Sequence, residues 1–170
     1  KGAKYAEEHH LPNVAFLRTR IEFIEALFGK DEISEVWITF ADPQIGREKK
    51  RLTSPLFLER YRHFLKPGGV VHLKTDSRCL HEYSRAFAEQ NGLKILACAT
   101  DIYGADRERL LESPLASVSG EDAVKALFEV QTYYEQQYLA KGIDITYLAF
   151  TIDHEGSYLS PIWDEELYER

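Results

Sequence analysis

At 170 residues, with 44% hydrophobic and 29% charged side chains, the chain has the size and apolar content of one domain with a substantial core. A net charge of −7 argues against indiscriminate nucleic-acid binding, which works through phosphate neutralisation by Lys and Arg. No stretch reads as a signal peptide or as an apolar run long enough to cross a bilayer, so a cytoplasmic location is expected.

Lys1-Gly2-Ala3-Lys4-Tyr5 reads as helix interior, and with no methionine anywhere the chain is expected to be a piece of a longer protein. His9-His10 reads as a solvated helix end, because the six histidines form no zinc-ligand spacing. Val14 to Leu17 is predicted as a short strand, and Ile21, Ile24, Leu27 and Phe28 as one face of a helix ending at Gly29.

Val36, Trp37, Ile38, Thr39 and Phe40 form a continuous β-branched and aromatic run, the pattern of a strand buried on both faces of a parallel sheet. Such sheets bind ligands at the carboxyl ends of their strands, where Asp42 sits, and Pro43 stops the strand there. The plainer role for Asp42 is a turn cap, common for Asp-Pro. The loop that follows is basic: Arg47, Lys49, Lys50 and Arg51, then Arg60, Arg62 and Lys66, face only Glu48 and Glu59 as nearby acids. A basic patch on an acidic body suits docking of a folded RNA, although a solvated loop and helix face give the same pattern.

Ser54-Pro55 is a helix start, with Leu56, Leu58, Tyr61 and Leu65 on roughly one face and Lys66-Pro67-Gly68-Gly69 as the stop. Val70 to Leu73 reads as a second buried strand ending at Lys74-Thr75-Asp76, which places a second carboxylate at a strand end. A helix through Leu80, Tyr83, Phe87 and Ala88 stops at Asn91-Gly92, and Lys94 to Thr100 is the next strand. Cys79 and Cys98 have no metal or redox spacing and read as reduced thiols. Val124, Leu127 and Phe128 precede Thr132 to Glu135 in what reads as ordinary helix up to Gly142. Alternating strands and helices imply a doubly wound α/β sheet. No glycine-rich loop of the G-x-G-x-G kind follows a strand, so a nucleotide-type cofactor site would be incomplete here.

NVAFLRTRIEFI, EISEVWITFADPQ, KKRLTSPLFLERYRHFLKPGGVVHLKTD and TYYEQQYLAKGIDITYLAFT, taken in order, resemble the bacterial tRNA (guanine-N7-)-methyltransferase family. The resemblance implies a class I, Rossmann-like methyltransferase fold with a mostly parallel sheet and an antiparallel C-terminal strand over Asp144 to Ile152. Residues 1–152 would be a partial catalytic domain lacking its N-terminal strands, and residues 153–170 an appended tail with Tyr158, Ile162 and Trp163 packed onto its surface. Losing those strands would leave an unpaired edge on the Val36 to Phe40 strand, open to a homo-oligomer contact.

The implied activity is transfer of a methyl group from S-adenosylmethionine to N7 of the variable-loop guanosine of tRNA, with this segment alone inactive. Asp42 matches the aspartate of the family's F-x-DPW motif, assigned to catalysis and cofactor contact, with Gln44 in place of the tryptophan. Arg20 falls where many relatives have a cofactor-contacting aspartate. The loop is shorter than in many relatives, so the substrate lysine falls at Gly46, with Arg47 as its substitute. Asp76, Thr132, Tyr133, Tyr134 and Glu135 match substrate-binding positions. The other readings are a non-catalytic RNA-binding subunit on this fold and an exocyclic-amine methyltransferase; the latter usually has Pro and an aromatic residue where Gln44-Ile45 stands.

Overall fold

In the computed structural model, the apolar run at 36–40 forms most of strand β1 (Ile33–Thr39), which lies parallel to β2 (Leu65–Thr75) with Val36 opposite Val71 and Ile38 opposite Leu73. The described residues are 2–152 and 155–168, beginning with helix α1 (Gly2–Glu8); Lys1 of the expected helix and residues 153, 154, 169 and 170 of the expected tail lie outside them. Strand β4 (Thr146–Thr151) runs antiparallel between β2 and β3 (Ile95–Ala99), giving the order β1-β2-β4-β3. The mixed α/β sheet with its antiparallel C-terminal strand is therefore present.

Strand side chains alternate between faces. Leu73, Leu148 and Phe150 face α2 (Pro55–Phe64) and α3 (Arg78–Gln90), where Leu58, Tyr61 and Phe87 complete one core. Tyr147 and Ala149 face the other way, into a core with Leu110 of α4 (Arg107–Leu111), Leu115 of α5 (Leu115–Ser119) and Leu127 of α6 (Glu121–Glu129). Helix α3 is capped by Ser77, whose hydroxyl accepts from the Leu80 amide at 3.1 Å, and the chain leaves it through Gly92 at φ +63°.

Several elements depart from the sequence reading. Val14 to Leu17 is exposed and not a strand, because no strand lies beside it among the described residues to accept its backbone groups. The helix expected up to Gly29 is a 3-10 turn over Ile21–Ala26. The buried face of α2 is Phe57, Leu58, Tyr61 and Phe64, a better i, i+1, i+4, i+7 stripe than one starting at Leu56, which is 46% exposed. Strand β1 is not buried on both faces: it pairs with β2 alone among the described residues, and only Ile38 is fully covered. An apolar groove of about 520 Å³ runs along this open edge between Ile24, Phe28, Val36 and Phe64. In the tail, Tyr158 packs edge-on against Phe87 and Trp163 against Tyr83, whereas Ile162 is 88% exposed.

His72 of β2 is fully buried, stacked on Trp37 with ring centroids 3.9 Å apart. The Tyr147 hydroxyl is 2.7 Å from its Nδ1, and Glu35 faces its Nε2 at 3.2 Å. Burial pulls its pKa down from 6.5 to about 4, against the opposing pull of Glu35. The unfolded chain therefore takes up a proton below pH 6.5 that the folded chain refuses, and stability is lost as pH falls from 6.5 to about 4. The loss should be of the order of 3 kcal/mol. Glu82, held down from 4.5 to about 2 by its hydrogen bond with His81, loses its own contribution only below pH 4.5, so the range from 6.5 to 4.5 is free of it. Urea denaturation at stepped pH should show the decline, and His72→Gln should flatten it between pH 6.5 and 4.5; an equal slope in the variant would rule the assignment out.

Candidate active site at the strand ends

Thr39 pairs with Lys74 and the Phe40 amide donates to the Lys74 carbonyl at 2.9 Å, so the two parallel strands leave the sheet together. Asp42 and Asp76 follow them at the same edge. Phe40 turns the chain out at φ +51°, a left-handed conformation uncommon for a bulky residue and a local strain held by its surroundings. Its ring packs 6.3 Å from Tyr138 of α7 (Tyr133–Ala140).

Asp42 is exposed, and its Oδ1 accepts from the Gln44 amide at 2.9 Å, so the turn-capping role is present. It also lines a groove of about 520 Å³ with Gln44, Lys49, Lys50, Leu56 and Arg60, walled on one side by Ile21 and Ala41. Two carboxylates, Asp42 and Glu22, and three cations beside an apolar wall give the groove groups of both signs for a charged, ring-bearing ligand. Arg20 does not line this groove: its guanidinium reaches Glu22 at 3.4 Å and lies over the Phe23 ring. The next residues, Ile21 and Glu22, are the ones on the groove wall.

On the opposite side of β1, a cavity of about 260 Å³ is lined by Trp37, Thr39, Phe40, Lys74, Thr132 and Glu135, which brings the T-x-Y-E segment to the strand end. Its four residues divide. Thr132 caps α7, accepting from the Glu135 amide at 3.1 Å while the Glu135 carboxylate accepts from the Thr132 amide at 3.2 Å. Glu135 is fully buried, its Oε1 2.6 Å from the Lys74 Nζ and accepting from the Tyr103 hydroxyl at 2.6 Å. Tyr133 and Tyr134 face solvent, 70% and 62% exposed, edge to face. Lys74 also donates to the Leu127 carbonyl at 2.8 Å and the Val130 carbonyl at 3.3 Å. Burial lowers its pKa and Glu135 opposes that, while burial and Glu135 together raise Tyr103.

The basic run also divides. Lys49 and Lys50 line the groove and Arg47 is exposed, but Arg51 is 1% exposed, its guanidinium between the Tyr83 and Trp163 rings. Arg51 donates to the Pro43 carbonyl at 2.9 Å and to Glu165, whose carboxylate also accepts from the Gly46 amide at 3.1 Å. Lys74, Tyr103 and Glu165 escaped sequence reasoning; of these only Lys74 carried a signal, as the first residue of the K-T-D strand end.

A family model described as "Putative methyltransferase" matches residues 1–146. The chain is 41% identical over 166 residues to a tRNA (guanine-N(7)-)-methyltransferase of Bacteroides thetaiotaomicron, covering 98% of this chain and 60% of that protein. The Bacteroides fragilis protein of the same name is 40% identical over 166 residues, with the same coverage. That of Christiangramia forsetii is 45% identical over 154 residues, covering 89% of this chain and 62% of that protein. The chain thus spans about 60% of the length of the curated relatives it matches. With the family model covering most of its length, the chain belongs to this family of putative methyltransferases.

Proposed function

We propose that the protein containing this chain transfers a methyl group from S-adenosylmethionine to N7 of the variable-loop guanosine of tRNA, in the cytoplasm. The observation that carries the reading is Asp42 at a strand end, in a groove it shares with Lys49, Lys50 and Arg60. Guanine N7 has a lone pair and no proton, so the reaction asks for positioning and electrostatics more than for a strong base. Alkylation leaves the purine cationic, and the Asp42 carboxylate offsets that charge while accepting hydrogen bonds from the base.

The residues present suit the cofactor. Ile21 and Ala41 give an apolar wall for an adenine ring, and the carboxylates of Asp42 and Glu22 on the same groove suit a sulfonium cation. When bound, S-adenosylmethionine supplies the electrophilic methyl group. Arg20 lies outside this groove with its side chain engaged by Glu22, so the cofactor contact passes to its neighbours Ile21 and Glu22.

Asp76 orients the guanosine, and Tyr133 and Tyr134 offer exposed rings for stacking. Thr132 and Glu135 act by fixing the start of α7 against β2, Glu135 as a positioning residue because both of its oxygens are engaged inside the protein. Gly46 and Arg47 belong to the loop that, with Lys49 and Lys50, meets the tRNA backbone.

The test is full-length protein with a tRNA transcript and labelled S-adenosylmethionine, followed by nucleoside analysis. Label on guanine N7 supports the reading; label on an adenine or an exocyclic amine ends it. Lys49→Ala with Lys50→Ala should weaken tRNA binding and make the slope of log K against log salt shallower by about two, one for each phosphate no longer neutralised. An unchanged slope would remove these lysines from the interface.

A further inference from the structure

We propose that Glu165, seated by Trp163, is a positioning residue that tethers the basic loop Gly46–Arg51 beside Asp42 and so sets tRNA affinity; the inference rests on the function proposed above. Glu165 lies 119 residues beyond Gly46 in sequence, yet its carboxylate spans the two ends of that loop, the Gly46 amide and the Arg51 guanidinium. Arg51 is buried, and a buried guanidinium without a carboxylate is costly. Among the described residues Glu165 is the carboxylate that ion-pairs with it. Glu48, the acid inside the loop, is instead taken by the Tyr83 hydroxyl at 2.9 Å.

Across the first turn the Arg47 amide donates to the Gln44 carbonyl at 2.9 Å, a bond inside the loop that does not tie it to the tail. Gly46 stands at φ +66°, with open space where a side chain would be, so packing does not fix it. The hydrogen bond from its amide to Glu165 does. Trp163 closes one face of the Arg51 guanidinium with its ring centroid 5.0 Å away, opposite Tyr83 at 4.5 Å. The rest of the tail has its own anchorage: the Leu159 amide and carbonyl both bond the Asn91 side chain, at 2.8 and 2.9 Å, and Tyr158 packs on Phe87. Removing the Glu165 carboxylate therefore loosens the Gly46 end of the loop without detaching the segment, while the bond from Tyr83 to Glu48 still holds its middle. Lys49 and Lys50, held in the groove between the two tethered ends, then lose their fixed position relative to Asp42.

The test compares full-length wild-type protein with Glu165→Gln, Glu165→Asp and Trp163→Ala, with Ile162→Ala as a control at an exposed neighbour. Three quantities are read: the rate of tryptic cleavage after Arg47, Lys49 and Lys50 in the folded protein, the Kd for a tRNA transcript, and kcat against KM for methylation. Removing one charge-assisted hydrogen bond should raise the tRNA Kd and KM about tenfold in Glu165→Gln and Trp163→Ala, with kcat changed less than about twofold. Cleavage in the loop should accelerate, with Glu165→Asp intermediate and Ile162→Ala like wild type. A wild-type cleavage rate in Glu165→Gln, or a fall in kcat with KM unchanged, would overturn the proposal. If the wild-type protein binds tRNA without methylating it, the proposed activity fails, while cleavage and Kd still decide the tether.

Discussion

Asp42→Asn in the full-length protein is expected to lower kcat for tRNA methylation by about 10²- to 10³-fold, or about 3–4 kcal/mol of barrier, while tRNA affinity changes little. The two roles open to this residue predict different outcomes. As a turn cap, Asp42 needs only an oxygen to accept from the Gln44 amide, and asparagine supplies one in the same place. As an electrostatic partner of a purine gaining positive charge, it needs the full negative charge, which asparagine lacks. The Asn variant therefore keeps the loop and removes the charge, whereas Asp42→Ala removes both. Single-turnover transfer of label from S-adenosylmethionine to tRNA, with thermal unfolding as a folding check, separates them. Full activity in Asp42→Asn would leave the residue as a cap and move the chemistry elsewhere.

What was legible in the sequence follows from how local each signal is. The strands at 36–40 and 70–73 were readable because short, largely apolar and β-branched runs between turn signals have few other uses, and the Asn91-Gly92 stop ends α3 by chemistry confined to two residues. Val14 to Leu17 has a similar apolar composition and is not a strand, since a strand is defined by a neighbour that composition does not encode. The Leu56 error has the same root: a helix shows its stripe, but which side of it faces the sheet depends on the register of α2 against Leu73 and Leu148.

At the candidate site, Asp42 and Asp76 could be read from strand ends, and the basic loop from charge. The pairings could not. Glu135 carries the same letter whether it faces a guanosine or a buried lysine, and only the approach of α7 to β2 decides which. Arg51 looks like one more cation in a basic run until Trp163 and Glu165 are seen to enclose it. Charge counting from sequence therefore overstates the surface patch, because a member of the run serves the interior.

Glu135→Ala is expected to destabilise the fold by about 3–5 kcal/mol, among the largest costs available to one substitution, because it strands the Lys74 ammonium in the interior. Lys74 would keep its carbonyl acceptors, Leu127 and Val130, but no carboxylate is among its described partners once Glu135 is gone. Its pKa, already lowered by burial, should fall further. Shedding the proton sets a ceiling on the penalty: deprotonating a lysine of ordinary pKa at neutral pH costs about 5 kcal/mol, so a stranded charge cannot cost more. The same substitution leaves the Tyr103 hydroxyl without its acceptor and breaks the capping box at Thr132, which adds to the loss. Removing both charges with Lys74→Met and Glu135→Leu should be far less damaging than the sum of the single changes, a coupling of 2 kcal/mol or more, roughly, in a double-mutant cycle by urea denaturation. Additive effects would show that the pair is not a unit. Glu135→Gln separates stability from substrate contact: it should unfold more easily and, once folded, bind tRNA like wild type, whereas normal stability with weakened binding would return Glu135 to the substrate face.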